Sequence, residues 1–459
     1  MTLLGDVVRH GPARRLGTWA AMAMVVSEVM GVGIFLAPAA MTRALGSVWA
    51  SLLVWIGVAT LTAAGALCYT ELATRLPRAG GTYVFLREAF GLRCAFVYGW
   101  MMLLLIDPGI VAALGMGMAK YLIETLGGPS HLLVTLAIAC IVGFGLLTLL
   151  GIHASARIMQ WTAAVKVLVV GVLVVAGVSR FGYSGSVGEL PGFTSRAIDV
   201  EAIATALVAA FFAFGGWWEV GRMSEEVMTP HRTIPRALLG GVALVAALYA
   251  LVTIAFMLVT AAPTEASDEA FVRAVGSAVF GEAASRVLPA MVVVAVSGAL
   301  AAVLLRAPRG YLAMARDGVF PRRLARFDDE RGTYPGATLV QVSLACALVL
   351  VGTFDEILGY FVPTALFFVG LAAAAVLRLP RPDGRSGVFR MPWYPVPVGV
   401  FLLAMGAALV LFAVGHPRQM LVGAIVVALA MALSRFAIQP SGAEDRLTPA
   451  AGQRAEASW

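Results

Sequence analysis

The sequence predicts an all-α protein that crosses a membrane many times. The chain of 459 residues is 60% hydrophobic and 13% charged, with a mean hydropathy of +0.89. A soluble domain is about half apolar and about a quarter charged. Apolar runs of about 20 residues, the length that a spanning helix needs, recur along nearly the whole chain. In two of these runs, closely spaced glycines predict a broken helix.

Twelve membrane spans are predicted, with a short additional helix at 268–286. They divide the chain into an N-terminal segment 1–17, spans one to five at 18–178, spans six to ten at 201–377, two final spans at 394–436, and a polar, disordered tail at 437–459. The individual spans are 18–43, 47–70, 95–122, 131–150, 157–178, 201–224, 237–262, 287–308, 336–353, 356–377, 394–414 and 419–436.

Basic residues predict the orientation of these spans. Most of the 33 lysines and arginines, Arg222 and Arg306 among them, fall in one of the two sets of alternate loops. Because cytoplasmic loops are enriched in Lys and Arg, both termini are expected in the cytoplasm. The same asymmetry accounts for the net charge of +7 without a nucleic-acid partner.

The first and sixth spans carry the two predicted breaks. The first span is interrupted at Gly31-Val32-Gly33, and the sixth at Gly215-Gly216. Glycine-interrupted segments in corresponding positions of two halves are the best sequence indication of a transporter binding site. Five spans separate the breaks, and an odd number of spans in each half makes the halves inverted in the membrane. Helix packing by small residues is the alternative explanation for the glycines.

A broken helix offers backbone groups to a solute. Irregular backbone at membrane depth is tolerated where it lines a cavity. A half-helix that begins near Gly33 presents free N–H groups to a carboxylate, and half-helices that end near Val29 and Phe212 present carbonyls to an ammonium group. These two kinds of helix end together suit a zwitterion, and an α-amino acid is the simplest such solute.

Five motifs in order give the chain its resemblance to a known family. They are GVGIF (31–35), RLPRAGGTYVFLREAFG (75–91), FFAFGGWW (211–218), EEVMTPHRTIPRAL (225–238) and PRGYLAMARDGVFP (308–321). Over roughly residues 15–435, the chain resembles the amino acid–polyamine–organocation superfamily, and within it the L-type amino acid transporter-like permeases. The resemblance implies a five-plus-five inverted repeat with broken helices one and six, two additional C-terminal helices, and alternating access.

The resemblance also implies a set of substrate-binding residues. Backbone near Val32, Gly33 and Ile34 would hold the substrate carboxylate. The carbonyls of Val29, Phe212 and Gly215 would hold the amine. Phe212 would cover the substrate. The complete set of implied residues is Val29, Gly31, Val32, Gly33, Ile34, Phe212, Ala213, Phe214, Gly215 and Trp217. For the aromatic members, packing between helices is the alternative role.

Two positions depart from the family pattern and bear on the substrate. Val32 replaces a hydroxyl residue, so only backbone N–H groups remain there, and Trp218 replaces a small polar residue. Bulk at either position narrows a binding site. The expected substrates are therefore small or medium neutral L-amino acids. Cationic amino acids or polyamines are the alternative substrates, and an amino acid sensor without transport is the alternative function.

Lys166 is one of only two lysines and lies deep in the fifth predicted span. A charge at this depth is costly and indicates a functional role. The resemblance places its amine where a sodium ion sits in sodium-coupled relatives, which implies transport without sodium. We expect Lys166 to bond carbonyls of the broken first span and to link substrate occupancy to closure. The alternative is that its side chain extends to the membrane surface.

Two acids are further candidates for coupling. Glu28 immediately precedes the first break and is a candidate proton carrier, partner of Lys166 or cation-selecting acid; the simpler interpretation is an acid that faces a water-filled vestibule. Asp107 precedes Pro108 in the third span, where it is a candidate for proton coupling or for stabilising a kink. Transport by proton symport and by exchange both remain open at this stage.

Other functional classes lack support in the sequence. The five histidines lie in or near predicted loops, and neither an HExxH nor a paired-histidine pattern occurs, so no enzyme activity, metal or cofactor is expected. The four cysteines lie in or beside apolar runs, and none suits a disulfide to an extracellular heavy-chain partner. The expected partners are an amino acid and the lipid bilayer. An arginine-, alanine- and glycine-rich composition suggests a bacterial inner membrane.

Overall fold

The computed structural model describes residues 16–31, 33–184, 200–259, 268–282, 285–381 and 388–437. Apart from two isolated β-bridges, the regular secondary structure in these ranges is helical. The α-helices are α1 (Thr18–Val29), α2 (Gly33–Leu45), α3 (Val48–Arg75), α4 (Thr82–Phe90), α5 (Leu92–Met101), α6 (Asp107–Leu126), α7 (Leu133–Leu149), α8 (Ile152–Ser184), α9 (Val200–Ala213), α10 (Pro230–Val259), α11 (Asp268–Phe280), α12 (Val287–Arg316), α13 (Pro335–Val351), α14 (Phe354–Arg378), α15 (Val396–Gly415) and α16 (Pro417–Ala437).

Within the described ranges, one π-helical and two 3₁₀-helical segments lie between the α-helices. A π-helical turn, Met102–Ile106, connects α5 to α6, and the 3₁₀ segment Ser130–Leu132 leads into α7. The third is longer and comes after α9: the 3₁₀ segment Trp217–Glu226. We refer to Trp217–Glu226 below as the 3₁₀ segment. The predicted short helix at 268–286 corresponds to α11.

The all-α membrane architecture is confirmed in its coarse form. Nine helical stretches within the described ranges are long and apolar enough to cross a membrane. The stretches Thr18–Val29 and Pro335–Val351 are apolar but shorter. The count of twelve spans, the inverted repeat and the division into halves stay predictions, and the predicted tail at 437–459 lies almost entirely outside the described residues.

Local sequence explains several helix ends near the cavity described below. Thr353 and Glu356 form a capping box at the start of α14, in which each side chain satisfies the other's backbone N–H. Ser47 caps α3 by accepting from Ala50 N at 3.4 Å. Gly127 ends α6 in the left-handed conformation, at a φ of +68°.

The two broken helices pack against one another in the centre of the bundle. A Cβ on Gly33, at the start of α2, would lie 2.7 Å from the Cα of Ala213, at the end of α9. A glycine is therefore required for this close approach. Gly216, between α9 and the 3₁₀ segment, has a φ of +101°, which only glycine adopts without strain. The sequence thus brings the two breaks together through glycines in both.

Candidate functional site

The two breaks expose the ends of four helical segments at one place. The first break separates Val29, the last residue of α1, from α2, and the second separates Ala213, the last residue of α9, from the 3₁₀ segment. The Tyr249 hydroxyl from α10 lies 2.9 Å from the Val29 carbonyl oxygen and 2.7 Å from that of Ala213, so its single O–H proton is shared between the two acceptors. Carbonyls at helix C-termini lack intrahelical partners, so Tyr249 stabilises both breaks together.

A cavity of about 230 Å³ opens at these breaks. Its walls are mainly apolar and come from both broken helices and from α3, α6, α12, α14 and α15. Glu28 and Arg306 are its ionisable lining residues. The cavity reaches Phe354, the first residue of α14, and Phe412 in the last turn of α15, so it extends towards the end of the bundle where α14 begins.

The predicted substrate-binding residues divide into two groups around this cavity. Those that line it are Val29, Gly31, Gly33, Phe212 and Gly215. Those buried next to it are Ile34, Ala213, Phe214 and Trp217. Val32 lies outside the described residues. The first group gathers the backbone of both breaks at one cavity wall, which is the arrangement expected for a zwitterion.

Phe214 and Trp217 pack against aromatic neighbours beside the cavity. The Phe214 ring lies 5.8 Å from that of Trp55 and 5.3 Å from that of Tyr249, measured between centroids. The Trp217 ring lies 5.2 Å from that of Tyr69. Such tilted and edge-to-face pairs stabilise a core. These contacts favour a supporting role for both side chains, which is the packing alternative considered for them.

Lys166 reaches the first break from α8. Its side chain is fully buried, and Nζ donates a hydrogen bond to the carbonyl oxygen of Ser27 at 3.0 Å. Ser27 lies in the last turn of α1, where the helix dipole is negative. The ammonium therefore stabilises the end of α1, and it does so one residue before Glu28.

Glu28 and Asp107 belong to one buried network of charges with three residues that were not predicted from the sequence. Arg306 Nε lies 2.6 Å from Glu28 Oε1, and Arg306 Nη1 donates to Glu219 at 2.7 Å. Arg222 Nη1 donates to Asp107 at 2.9 Å, and Arg222 Nη2 donates to Glu219 at 3.2 Å. The side chains of all five are at most 2% exposed. We call these five residues the buried charge network.

The placement of Arg222 and Arg306 corrects the prediction from sequence, in which both count among the loop arginines. Arg306 lies within the predicted eighth span and Arg222 within the predicted sixth, and a charge inside a span is a functional signal. The same signal identified Lys166. Tyr311 completes the surroundings of Asp107 by donating to its carboxylate at 3.0 Å, so Asp107 is held by two elements other than its own.

Ion pairs connect the 3₁₀ segment to its neighbours near the end of α12. Glu225 pairs with Arg316 at 3.0 Å and accepts from the backbone of Ala79 at 3.0 Å. Glu226 pairs with Arg309. These contacts join the 3₁₀ segment to α12 and to the loop before α4.

A second contact at this end joins α4 to the end of α12. Asp317 accepts from the Tyr83 hydroxyl at 3.0 Å and pairs with Arg87 at 2.9 Å. Burial raises the pKa of the Asp317 carboxyl, and the Arg87 guanidinium opposes that shift. These ion pairs lie at the end of the bundle that carries most of the arginines. We call the ion pairs of Glu225, Glu226 and Asp317 the closed end.

The site offers no arrangement suited to a bound metal. Within the described ranges, no group of three or more His, Cys, Asp or Glu side chains could hold a metal ion. What the geometry provides is a mainly apolar cavity, the backbone of two broken helices at its wall, and one ion pair. That combination would suit a small solute with both an ammonium and a carboxylate.

Comparison with known proteins agrees with this geometry. Residues 16–435 match the family model described as amino acid permease. A serine/threonine exchanger of Bacillus subtilis is 24% identical over 84% of this chain and 88% of its own. The rat large neutral amino acids transporter small subunit 2 is 27% identical over 81% of this chain and 71% of its own. The mouse b(0,+)-type amino acid transporter 1 is 25% identical over 85% of this chain and 81% of its own.

The family match covers most of the chain, and the relatives are transporters and not enzymes. Together with the apolar helices, this shows a multi-pass membrane protein. The resemblance found in the sequence is therefore confirmed: the chain belongs to the amino acid permease family, within the amino acid–polyamine–organocation superfamily.

Proposed function

We propose that this protein is a sodium-independent secondary transporter of small or medium neutral L-amino acids that works by alternating access. The observation that carries the proposal is the cavity wall formed by Val29, Gly31, Gly33, Phe212 and Gly215. The start of α2 presents N–H groups to a carboxylate, and the ends of α1 and α9 present carbonyls to an ammonium group.

The rest of the cavity favours a neutral side chain. Ile110, Leu114, Val303, Phe361 and Val362 are all apolar and line its walls. An apolar wall does not compensate the desolvation of a charged side chain. The names of the relatives, a serine/threonine exchanger and a transporter of large neutral amino acids, agree with neutral substrates.

Cationic amino acids and polyamines are the second candidate class. The observation in their favour is an acid, Glu28, at the cavity wall. Against it, Glu28 is already paired with Arg306, and Asp107 is paired with Arg222. Neither acid is left to neutralise a second positive charge on the substrate.

Alternating access is supported by the asymmetry between the two ends of the bundle. The cavity extends towards the start of α14, and we infer that the ion pairs of the closed end, near the end of α12, seal the other side. Opening that end requires these pairs to separate. The bond from Lys166 to Ser27 supplies a cation at the first break, which supports transport without sodium. Proton symport and exchange remain the two candidate modes of coupling.

The remaining features of the proposal concern the cellular setting. We propose a bacterial inner (plasma) membrane location with both termini in the cytoplasm, from the arginine-rich loops. We also propose that the chain works without a heavy-chain subunit. Of the four free cysteines, Cys68 is buried and the others are partly buried.

The test is uptake of labelled amino acids into proteoliposomes that contain the purified protein. We expect saturable uptake of one or more neutral L-amino acids, unchanged when sodium is replaced by potassium. Stimulation by internal amino acid would identify exchange, and stimulation by an inward proton gradient would identify symport. Saturable binding without uptake would identify a sensor. Uptake confined to arginine, lysine or polyamines would overturn the neutral-substrate proposal.

A further inference from the structure

Trp218 lies between the main cavity and a second, smaller one. The second cavity has a volume of about 20 Å³, which is room for about one water molecule. Phe211, Trp218 and Leu366 line both cavities, and the other residues around the second cavity do not line the main one. These three residues therefore form a partition. Trp218 has the largest side chain of the three, and it directly follows the second break.

The indole of Trp218 is folded back over that break. A Cβ on Gly215 would lie 3.7 Å from Cη2 of Trp218, at the outer edge of the six-membered ring. Gly215 belongs to the cavity wall that the two breaks form, and its carbonyl is one of those expected to receive an amine. The ring thus occupies space directly beside the backbone that would hold an amino acid.

Two kinds of contact hold the indole in this position. Trp218 Nε1 donates to Glu219 Oε1 at 2.8 Å, a hydrogen bond to a charged group. Glu219 itself accepts from Arg306 at 2.7 Å and from Arg222 at 3.2 Å. The Trp217 ring meets the Trp218 ring edge to face, with centroids 5.5 Å apart. An indole tied to the buried charge network does not move aside without breaking these contacts, so it acts as a fixed wall.

A fixed wall of this kind selects among substrates by size. In an apolar pocket, one methylene that fits or fails to fit changes binding about tenfold to 200-fold. With the indole in place, the second cavity is separated from any substrate at the breaks. Without the indole, the two cavities would form one continuous space beside Gly215.

We propose that Trp218 sets the upper size limit of the substrate's side chain, so that its indole admits small and medium neutral side chains and excludes aromatic ones. This inference rests on the proposed function and assigns its size selectivity to one residue. Trp218 departs from the pattern of the permeases that the chain resembles, so the limit is a property of this chain and not of the whole family.

The test compares Trp218→Ala with the wild-type chain in purified, full-length protein. The probes are L-alanine, L-serine, L-leucine, L-phenylalanine and L-tryptophan, and titrated thermal stabilisation gives the Kd of each. We expect the wild type to bind L-alanine more tightly than L-tryptophan. In Trp218→Ala the ratio of the L-tryptophan Kd to the L-alanine Kd should fall about tenfold to a hundredfold, because the space behind the indole becomes available. Trp161→Ala removes an indole that is 73% exposed on α8, and this matched control should keep the wild-type ratio.

The outcomes separate this inference from the proposed function. If none of the five amino acids binds the wild-type protein, the proposed function and the inference fail together. If the wild type binds L-tryptophan as tightly as L-alanine, or if Trp218→Ala keeps the wild-type ratio, the inference alone fails. An equal loss of affinity for all five would show that Trp218 contributes to binding without selecting by size, and would also overturn the inference.

Trp218→Phe is the second variant, and it decides the question if Trp218→Ala does not fold. Its phenyl ring is smaller than the indole and has no N–H to donate to Glu219. The Kd ratio should therefore fall about tenfold, in protein that remains monodisperse on gel filtration. A wild-type ratio in folded Trp218→Phe would overturn the inference.

Discussion

The two breaks differ in the helical segment on their C-terminal side. After the first break the chain resumes as an ordinary α-helix, α2, whose first turn has no acidic residue. After the second it continues as the 3₁₀ segment, which carries Glu219 and Arg222 into the buried charge network and Glu225 and Glu226 to the closed end. The first break therefore supplies backbone to the cavity. The second also connects the cavity to the ion pairs that close the bundle.

Under the proposed function, this difference would separate an element that binds the substrate from one that couples binding to transport. A change in the first break alters contacts with a solute, or the single bond from Lys166. A change in the second alters a chain of ion pairs that runs from the cavity wall to the arginine-rich end. Transport requires both, so variants of the two breaks should differ in which measurement they affect.

The largest effect on uptake is expected for Lys166→Ala at the first break. Loss of the bond to the Ser27 carbonyl should reduce the initial rate of uptake about tenfold to a hundredfold, because a buried charged hydrogen bond is removed. Folding should be largely retained, as measured by monodisperse gel filtration. Arg157→Ala, an exposed residue of the same helix, is the control. Full uptake by Lys166→Ala would refute the role of this lysine.

At the second break, the variant Arg222→Leu should lose the most stability. This change leaves Asp107 without its bidentate partner and Glu219 with fewer donors. Breaking a buried pair costs about 3–5 kcal/mol, which a lowered unfolding temperature in detergent should report. Arg316→Leu is the matched control, since its partly exposed pair with Glu225 should contribute about 0–1 kcal/mol. Equal stability of the two variants would contradict the buried charge network.

The contrast between the two breaks also explains how much of the structure could be predicted from the sequence. Glycines marked both breaks, because a helix interior tolerates them poorly and their φ is unrestricted. Composition and the length of the apolar runs predicted an all-α membrane protein. The pairings within the buried charge network could not be predicted from the sequence. Arg306 and Glu219, for example, are 87 residues apart and meet only through the packing of the breaks. In the sequence, Arg222 and Arg306 each come shortly before arginines of a predicted loop, so they were counted with those loop arginines.

A smaller effect is expected where the two breaks touch each other. In Gly33→Ala the added methyl would lie 2.7 Å from the Cα of Ala213, so α2 and α9 must separate. Overpacking of this kind costs about 1–3 kcal/mol, visible as a lower unfolding temperature and weaker amino acid binding. Gly57→Ala, with no atom within 4 Å of the added Cβ, should leave both unchanged. Wild-type binding by Gly33→Ala would show that the breaks tolerate separation.

The smallest effect is expected for Tyr249→Phe, which tests whether the breaks act as one unit. The hydroxyl lies within hydrogen-bond distance of the Val29 and Ala213 carbonyls, one on each break. Its loss should cost about 1 kcal/mol of stability, the net contribution of an ordinary hydrogen bond, because water in the cavity can reach Val29. The variant should unfold at a slightly lower temperature. Combined with Gly33→Ala, the two losses should not add, since neighbouring sites that share a contact are coupled. Strict additivity would show that the close approach of α2 to α9 and the Tyr249 bridge hold the two breaks independently.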